Sequence, residues 1–219
     1  MNDFKERRGL WWLQTGMKDC DITLRDHEDW IYEYIPHGGD KVVVDVGAFV
    51  GLFTLEAARV CGSVIAFEPN IVARKVFAEN IKRNAVNNVI VLPYAVGSRE
   101  RFVSIVQQGG ATHVGKHPGT IQQVYLERAL QHESRIDFIK IDVEGYEVEV
   151  IYGATQTIER CKPTILVEVH SHYKNFTNNG NLLDEAIKPL GYSSRRVWEN
   201  SPAYFYNLYE PLNVDDAAH

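Results

Sequence analysis

The chain has little of what builds disulfide-rich, metal-finger or membrane-spanning proteins. Among its 219 residues are three cysteines, Cys20, Cys61 and Cys161, which are odd in number and far apart, so neither a disulfide framework nor a zinc-finger spacing is present. No apolar run approaches the roughly 20 residues that cross a bilayer. The first residues, MNDFKERRGLWWLQTG, contain no apolar stretch of the kind found in secretory signals. We therefore expect a cytoplasmic protein with no membrane span.

The chain also lacks an excess of positive charge. Its formal net charge is −6, whereas extended nucleic-acid surfaces are usually basic. Apolar residues make up 45% of the sequence, which is typical of a folded globular domain. Because no repeat or linker is present, we expect one domain over residues 26–219 after an N-terminal extension over residues 1–25. Trp11 and Trp12 in this extension are expected to pack on the domain; the alternative is a contact with a partner, such as a second copy in a homo-oligomer.

Strand-like and helix-like segments alternate along the domain. Runs of β-branched residues predict strands buried on both faces, and apolar residues at helical spacing predict the helices between them. The glycine-rich residues 107–120 show no periodicity and predict a mobile loop. This order predicts an α/β fold with a doubly wound, mostly parallel sheet and a C-terminal antiparallel hairpin. The predicted strands cover residues 42–46, a segment ending at 68, and residues 89–92, 101–106, 136–141, 164–169, 192–198 and 203–209; the predicted helices cover residues 26–36, 71–84, 122–133, 147–160 and 181–190.

A carboxylate ends each of the first two predicted strands, beside a glycine turn. Asp45 precedes Gly47 and Gly51, and Glu68 stands about twenty residues further on. A carboxylate at the turn repels a phosphate but attracts an ammonium or sulfonium group. Glu68 is placed to accept both hydroxyls of a ribose. The pattern therefore favours S-adenosyl-L-methionine (SAM) over a dinucleotide, because SAM carries a cationic amino-acid end and a free ribose diol.

A second group of polar residues follows the fourth and fifth predicted strands. Asp142 and Glu144 follow one strand, and Glu168 and His170 end the other. Methyl transfer requires an acceptor about 3–3.5 Å from the methyl group and a group that removes its proton. We expect His170 to be that general base, because imidazole titrates near neutral pH. The alternative for His170 is a structural histidine satisfied by a neighbour. Asp142 is expected to orient His170, hold the amino group of the cofactor or bind a divalent metal ion; Glu144 and Glu168 have the same alternatives, and Glu144 has the further one of capping the next helix.

Five blocks of sequence carry a family resemblance. The block that ends in Lys-Ile-Asp-Val-Glu-Gly-Tyr-Glu is the most specific of them. Together, over roughly residues 20–172, they resemble the FkbM family of SAM-dependent methyltransferases. The blocks are Asp45-Val-Gly-Ala-Phe-Val-Gly51, Phe67-Glu-Pro69, Ala95-Val-Gly97, Ile139-Lys-Ile-Asp-Val-Glu-Gly-Tyr-Glu147 and Val167-Glu-Val-His170.

The resemblance implies a class I methyltransferase (Rossmann-like) sheet and methyl transfer to an oxygen. The implied acceptor is a hydroxyl of a small molecule, a sugar or a glycan. The implied reaction centre contains Asp142, Glu144, Glu168 and His170. The segment Val124-Tyr-Leu-Glu127 departs from the family's Thr-Leu-Asp-Asp, so no role is expected for acids there. The implied cofactor-binding residues are Asp45, Gly47, Ala48 and Gly51 at the methionine end, Glu68 and Pro69 at the ribose, Ala95 at the adenine, and Asp142.

Two other functions fit part of the sequence. Residues 79–84 resemble a block of archaeal-type tRNA methyltransferases, but those carry Asn-Pro-Pro-aromatic where this chain has Asp142-Val-Glu-Gly145. A non-catalytic module that binds SAM is also consistent with the motifs. The acceptor is expected to contact residues 107–120 and the C-terminal third, whose aromatic residues form either an acceptor wall or, as we favour, the core of the hairpin. These aromatic residues are Tyr192, Trp198, Tyr204, Phe205 and Tyr206.

Overall fold

The computed structural model describes residues 3–16, 29–108, 111–115, 117, 119–171 and 179–212. The strands are β1 (Phe4–Arg7), β2 (Leu10–Leu13), β3 (Gly38–Val46), β4 (Cys61–Phe67), β5 (Val89–Leu92), β6 (Ala95–Val96), β7 (Arg101–Val103), β8 (Ile105–Gln108), β9 (Ala111–Val114), β10 (Ile121–Val124), β11 (Phe138–Ile141), β12 (Thr164–His170), β13 (Tyr192–Ser201) and β14 (Tyr204–Pro211). The helices are α1 (Leu52–Ala58), α2 (Ile71–Arg83), α3 (Leu126–Ala129), α4 (Glu147–Tyr152), α5 (Thr155–Cys161) and α6 (Asn179–Ile187), with 3-10 turns at Asp29–Tyr34 and Lys188–Leu190. No helix within the described ranges is long and apolar enough to cross a membrane.

A seven-stranded sheet forms the centre of the fold, in the order β13-β14-β12-β11-β3-β4-β5. Strands β3, β4, β5, β11 and β12 pair in parallel, and β14 pairs antiparallel with both β12 and β13. The doubly wound sheet and its C-terminal hairpin are therefore confirmed. The strand order reverses between β3 and β11, so a crevice opens at the carboxyl ends of these two neighbours.

Helices cover both faces of this sheet. Helix α1 and the 3-10 turn at Asp29–Tyr34 pack on one face, with Ile31 and Phe53 in the buried cluster. Helices α4, α5 and α6 pack on the other, with Ile151 and Leu183 buried. Full burial of such a side chain stabilises the fold by about 1.5–3 kcal/mol. Charged side chains in the central strands are therefore exceptions that need partners or a function.

The predicted loop over residues 107–120 was wrong in part. Strands β8 and β9 form a two-stranded antiparallel ribbon there, in which Ile105 pairs with Val114. The sequence signal was the pair Gly109-Gly110 between two short segments, which is typical of a hairpin. Glycine count alone was therefore a poor guide to structure in this segment.

Three predicted helices differ from those in the structure. Residues 121–124 form strand β10, which pairs with β6 and β7, and only Leu126–Ala129 is helical. The predicted helix over residues 147–160 is divided into α4 and α5 at Gly153. A Cβ atom at Gly153 would lie 2.1 Å from the carbonyl oxygen of Gly97, so the break allows close contact between the two backbones. Of the predicted helix over residues 26–36, Asp29–Tyr34 is a 3-10 turn, and residues 26–28 lie outside the described part.

The N-terminal hairpin, β1 and β2, packs against helix α2. Trp12 is buried there, whereas Trp11 is partly exposed. The buried side chain of Asn80 accepts a hydrogen bond from the Leu13 N–H at 2.8 Å and donates one to the Val50 carbonyl at 3.0 Å. Asn84 bonds both the N–H and the carbonyl of Trp11. The extension therefore packs on the domain, and Asn80 connects it to the loop that precedes α1.

Replacing Asn80 with alanine is expected to lower the free energy of unfolding by about 2 kcal/mol. The change leaves the part-buried N–H of Leu13 and the buried carbonyl of Val50 without the Asn80 side chain as partner. Urea unfolding measures the effect. The control, Asn84→Ala, removes bonds to the exposed backbone of Trp11, where water can replace them, and is expected to lose less than about 1 kcal/mol. Equal losses in the two variants would contradict the connecting role of Asn80.

Candidate active site

The glycine turn after β3 packs directly against the end of β11. Gly47 has φ +88°, a left-handed backbone that glycine adopts without strain. Its N–H donates to the Phe67 carbonyl at 2.9 Å, and a Cβ atom at Gly47 would lie 1.8 Å from the carbonyl oxygen of Asp142. Gly51 has φ +90°, and a Cβ there would lie 2.1 Å from the Phe77 ring. The turn can therefore approach its neighbours only because both residues lack side chains.

Glu68 is buried beside this turn. Its carboxylate oxygens accept hydrogen bonds from the N–H groups of Phe49 and Asn70, each at 2.7 Å. Burial raises the pKa of Glu68 to about 7, although these backbone bonds favour the charged form. Each carboxylate oxygen has a second lone pair, so the group can accept further O–H donors while it holds the turn in place.

The remaining predicted cofactor residues lie along the same strand ends. Ala48 is buried in the turn, and its N–H donates to the Phe67 carbonyl at 3.1 Å. Pro69 is half-buried directly after Glu68. Ala95 is buried at the start of β6, shortly after β5 ends. Their positions follow the carboxyl ends of β3, β4 and β5 in order.

A fully buried ion pair lies beneath the turn. Asp45 and Lys140 are paired in the register of β3 and β11, and Asp45 Oδ1 is 4.0 Å from Lys140 Nζ. Asp45 Oδ2 accepts a hydrogen bond from the Thr54 hydroxyl at 2.5 Å, but Oδ1 accepts none from the described residues. Lys140 Nζ is also 3.0 Å from Asp142 Oδ2. The lysine thus joins the acid below the glycine turn to the first acid of the second group.

Burial acts differently on the two members of this pair. It raises the pKa of Asp45, and the nearby Lys140 and the Thr54 hydroxyl oppose that shift only in part. Burial alone would lower the pKa of Lys140, but the carboxylates of Asp142, Asp45 and Glu168 outweigh it and raise that pKa. The lysine is therefore charged at neutral pH. Sequence reasoning missed Lys140, although a lysine inside an otherwise apolar buried strand was a visible signal.

His170 is buried among three carboxylates. Its Nδ1 is 2.9 Å from Glu147 Oε1, and its Nε2 is 3.4 Å from both Glu144 Oε2 and Glu168 Oε1. Burial opposes a charge on the ring, but the hydrogen bonds to Glu147 and Glu168 outweigh it and raise the pKa of His170 to about 12. The ring is then an imidazolium at neutral pH. A general base needs a neutral ring, which this arrangement disfavours.

Glu147 is a functional candidate that sequence reasoning did not single out. Its carboxylate is fully buried at the start of α4. It accepts the Gly145 N–H and the Asn179 side-chain amide, each at 2.7 Å, in addition to its contact with His170. Asn179 also donates to the His170 carbonyl at 3.2 Å. The signal was present as the last residue of the Lys-Ile-Asp-Val-Glu-Gly-Tyr-Glu block, but spacing alone does not show that it faces the histidine.

The structure brings the predicted reaction-centre residues together. Asp142, Glu168 and His170 each offer one ligand atom, and these atoms lie within 4.8 Å of one another. Side chains of Asp142 and Glu144 are 26% and 27% exposed, whereas those of Glu168 and His170 are 6% and 4% exposed. A ligand in the crevice therefore meets Asp142 and Glu144 first. His172, which follows this group in the sequence, lies outside the described residues.

An aromatic cluster adjoins the buried end of the site. The Tyr204 ring lies 5.4 Å from that of His170 and 5.4 Å from that of Trp198. Tyr206 donates a short hydrogen bond to Glu168, and its ring packs edge-on against Trp30 at 4.9 Å. Tyr206 is fully buried, as a core residue of the hairpin would be, but the cluster also extends to the reaction-centre residues.

Solved structures with this fold define its class. The crystal structure of methyltransferase FkbM from Methylobacillus flagellatus has a TM-score of 0.60 at 18% identity, covering 81% of this chain and 45% of that one. The structure of SMU.1697c from Streptococcus mutans in complex with SAH has a TM-score of 0.57 at 10% identity, and the match covers 86% of this chain and 99% of that one. At these identities the likeness concerns the fold, which is that of a class I methyltransferase.

The family follows from the sequence comparison. The family model described as "Methyltransferase FkbM domain" matches residues 45–194, and the chain therefore belongs to the FkbM methyltransferase family. The hexuronic acid methyltransferase AglP of Haloferax volcanii is 30% identical over 142 residues, which are 60% of this chain. This chain spans 57% of the length of AglP and 45% of the Methylobacillus protein. The predicted family resemblance is confirmed.

Proposed function

We propose that this protein binds SAM in the crevice between β3, β4 and β11 and transfers its methyl group to a hydroxyl oxygen of a sugar or sugar acid. The observation that carries the proposal is the meeting of two groups of residues at one crevice. The glycine turn with Glu68 lies on one side, and Asp142, Glu168 and His170 lie on the other. The contact between Gly47 and Asp142 makes the two groups adjacent.

The cofactor side has the charges that SAM requires. The two hydroxyls of the ribose are proposed to donate to the remaining lone pairs of Glu68. The ammonium and sulfonium groups of SAM outweigh its carboxylate, so the methionine end of the cofactor carries a net positive charge. The partly exposed Asp142 and the buried Asp45 share the cation Lys140, so the two carboxylates leave net negative charge beneath that end.

The acceptor side provides groups for proton removal. An acceptor oxygen attacks the methyl carbon, the bond from carbon to sulfur breaks, and sulfur keeps the electron pair. The acceptor's proton leaves to a carboxylate, for which we propose Glu144, because it is one of the two more exposed acids of the group and, unlike Asp142, does not pair with Lys140. The products are S-adenosylhomocysteine and a methyl ether. The relative named as a hexuronic acid methyltransferase and the aromatic cluster beside His170 support a sugar acceptor.

The test is methyl transfer from SAM to a panel of glycosides that includes uronic acids. Mass spectrometry identifies the product, and its stability to mild base distinguishes an ether from a methyl ester. Transfer to a sugar hydroxyl would support the proposal. Transfer to tRNA alone would favour an RNA methyltransferase, transfer to amines alone would exclude O-methylation, and SAM binding without any transfer would favour a non-catalytic module.

Affinity for SAM is expected to increase between about pH 6 and about pH 8. Glu68 is protonated below its pKa of about 7 and charged above it, and the charged form accepts the ribose hydroxyls more strongly. Glu68→Gln is expected to weaken SAM binding by about tenfold at the higher pH and to remove most of the pH dependence. Isothermal titration at both pH values measures this. Glu159→Gln, at an exposed residue of α5, is the control and should behave like the original protein. An unchanged affinity in Glu68→Gln would show that the ribose is held elsewhere.

A further inference from the structure

We propose that Asp142, Glu168 and His170 bind a divalent metal ion, and that this ion holds the acceptor at the reaction centre. The metal site itself stands on the geometry of these three side chains. Its role toward an acceptor rests on the proposed methyltransferase function.

The three residues lie at the carboxyl ends of two neighbouring strands of the central sheet. Asp142 follows β11, while Glu168 and His170 belong to β12, its parallel neighbour, in which Ile141 pairs with Val167. Their ligand atoms lie within 4.8 Å of one another. Ligands on opposite sides of an ion with bonds of about 2.1 Å are about 4.2 Å apart. Small side-chain rotations are therefore enough to bring all three atoms onto one ion.

The spacing around the histidine is compatible with metal coordination. His170 Nε2 is 3.4 Å from Glu168 Oε1 and from Glu144 Oε2. Neighbouring ligands on a six-coordinate ion with bonds of about 2.1 Å are about 3.0 Å apart, and opposite ligands are about 4.2 Å apart. The distance between His170 and Glu168 lies between these values, so an ion can take the place of the Nε2 proton; Glu144 lies beside the site and is not one of the three proposed ligands.

Each proposed ligand is oriented by a residue behind it. Glu147 Oε1 contacts His170 Nδ1 at 2.9 Å, Lys140 Nζ contacts Asp142 Oδ2 at 3.0 Å, and Tyr206 donates to Glu168 Oε2. Metal-binding histidines usually donate their second ring N–H to a carboxylate or carbonyl in this way. Glu147 is fully buried, and hydrogen bonds from Gly145 and Asn179, neither of which is a proposed ligand, hold its carboxylate in place. It fixes the ring so that Nε2 faces the two carboxylates.

The charges and ligand types indicate the kind of ion. Among the described residues, five carboxylates lie around Lys140 and His170, and when His170 binds an ion through Nε2 its ring is no longer a cation, which leaves negative charge for the ion to neutralise. One imidazole and two carboxylates suit an ion such as Mn²⁺, which accepts both nitrogen and oxygen ligands. Three protein ligands leave positions for two oxygens of an acceptor, so the acceptor class is a vicinal diol or a hydroxy acid. The five carboxylates are Asp45, Asp142, Glu144, Glu147 and Glu168.

Mn²⁺ is the probe for the test, added to the full chain after treatment with a chelator. Free Mn²⁺ gives a six-line electron paramagnetic resonance signal, which is lost on binding. We expect about one bound ion per chain, with nitrogen coupling from one imidazole in the spin-echo spectrum. Glu168→Gln and His170→Gln are expected to weaken binding by at least about tenfold, and Glu147→Gln by about 10–100-fold. Glu159→Gln, on the helix that leads into the amino end of β12, is the control and should bind like the original.

Two results would overturn the metal site. The first is no binding by the original protein. The second is binding that lacks nitrogen coupling and survives unchanged in His170→Gln and Glu168→Gln; circular dichroism shows that the variants are folded. SAM titration, run separately, distinguishes this inference from the proposed function. Methyl transfer that is unaffected by chelation overturns the proposed role of the ion toward the acceptor, whereas Mn²⁺ binding without SAM binding overturns the methyltransferase proposal and leaves the metal site.

Discussion

Gly47→Ala is expected to abolish SAM binding and to lower the free energy of unfolding by about 4 kcal/mol. The new Cβ atom would lie 1.8 Å from the carbonyl oxygen of Asp142, which belongs to the backbone and cannot rotate away. Overpacking of this kind costs about 1–3 kcal/mol, and a left-handed backbone in a residue other than glycine costs about 1–3 kcal/mol more. The turn must move away from β11, which separates the two halves of the proposed site. Urea unfolding and isothermal titration with SAM measure the two effects.

Gly16→Ala is the matched control for this prediction. Gly16 also has a positive φ, of +70°, but a Cβ atom there would meet nothing within 4 Å. The control therefore carries only the backbone penalty, about 1–2 kcal/mol, and should bind SAM normally. If both variants lost the same stability and bound SAM equally, the contact between Gly47 and Asp142 would have no special role in holding the cofactor turn.

The central sheet was predictable because its strands are buried on both faces. The run Val42-Val43-Val44 and the segment over residues 164–169 contain few polar side chains, and such runs predict parallel strands without knowledge of their neighbours. The short strands outside the sheet were not predicted as well. Strand β10 exists because it pairs with β6 and β7, which are distant in sequence. A pattern read over ten or so residues contains no information about such partners.

The sequence predicted the residues that meet at the candidate site but not the residues that support them. Asp142, Glu168 and His170 were expected to meet because they follow neighbouring parallel strands, and the structure places them together. Their supporting residues could not be assigned, since each acts through a contact across the fold. Glu147 faces His170 only because α4 begins beside the end of β12, and this contact also changes the expected protonation of the ring. Tyr206 reaches Glu168 through the antiparallel pairing of β14 with β12.

Lys140→Met is expected to lower the free energy of unfolding by about 3–5 kcal/mol at neutral pH. Removing one partner of a buried ion pair leaves the other charge without compensation. Here it leaves Asp45, which is fully buried, and the half-buried Asp142 without their shared cation. Methionine has a similar length to lysine and keeps most of the packing against Phe53. Urea unfolding measures the loss, with Lys188→Met as the control, because Lys188 makes an exposed pair worth at most about 1 kcal/mol.

The free energy of unfolding that Lys140→Met loses should also depend on pH. Burial raises the pKa of Asp45 in the folded state, and the variant lacks the cation that opposes this shift. A carboxyl group whose folded pKa is raised binds its proton more tightly when folded, so its contribution to stability decreases as pH rises from the unfolded pKa through the folded one. Lys140 itself stays charged throughout this range, since its pKa is raised. The difference in stability between the original protein and the variant should therefore widen as pH rises from the folded pKa of Asp45 in the original protein toward the higher folded pKa of Asp45 in the variant. A constant difference would mean that Lys140 stabilises the fold through packing, and that Asp45 is not the charge it compensates.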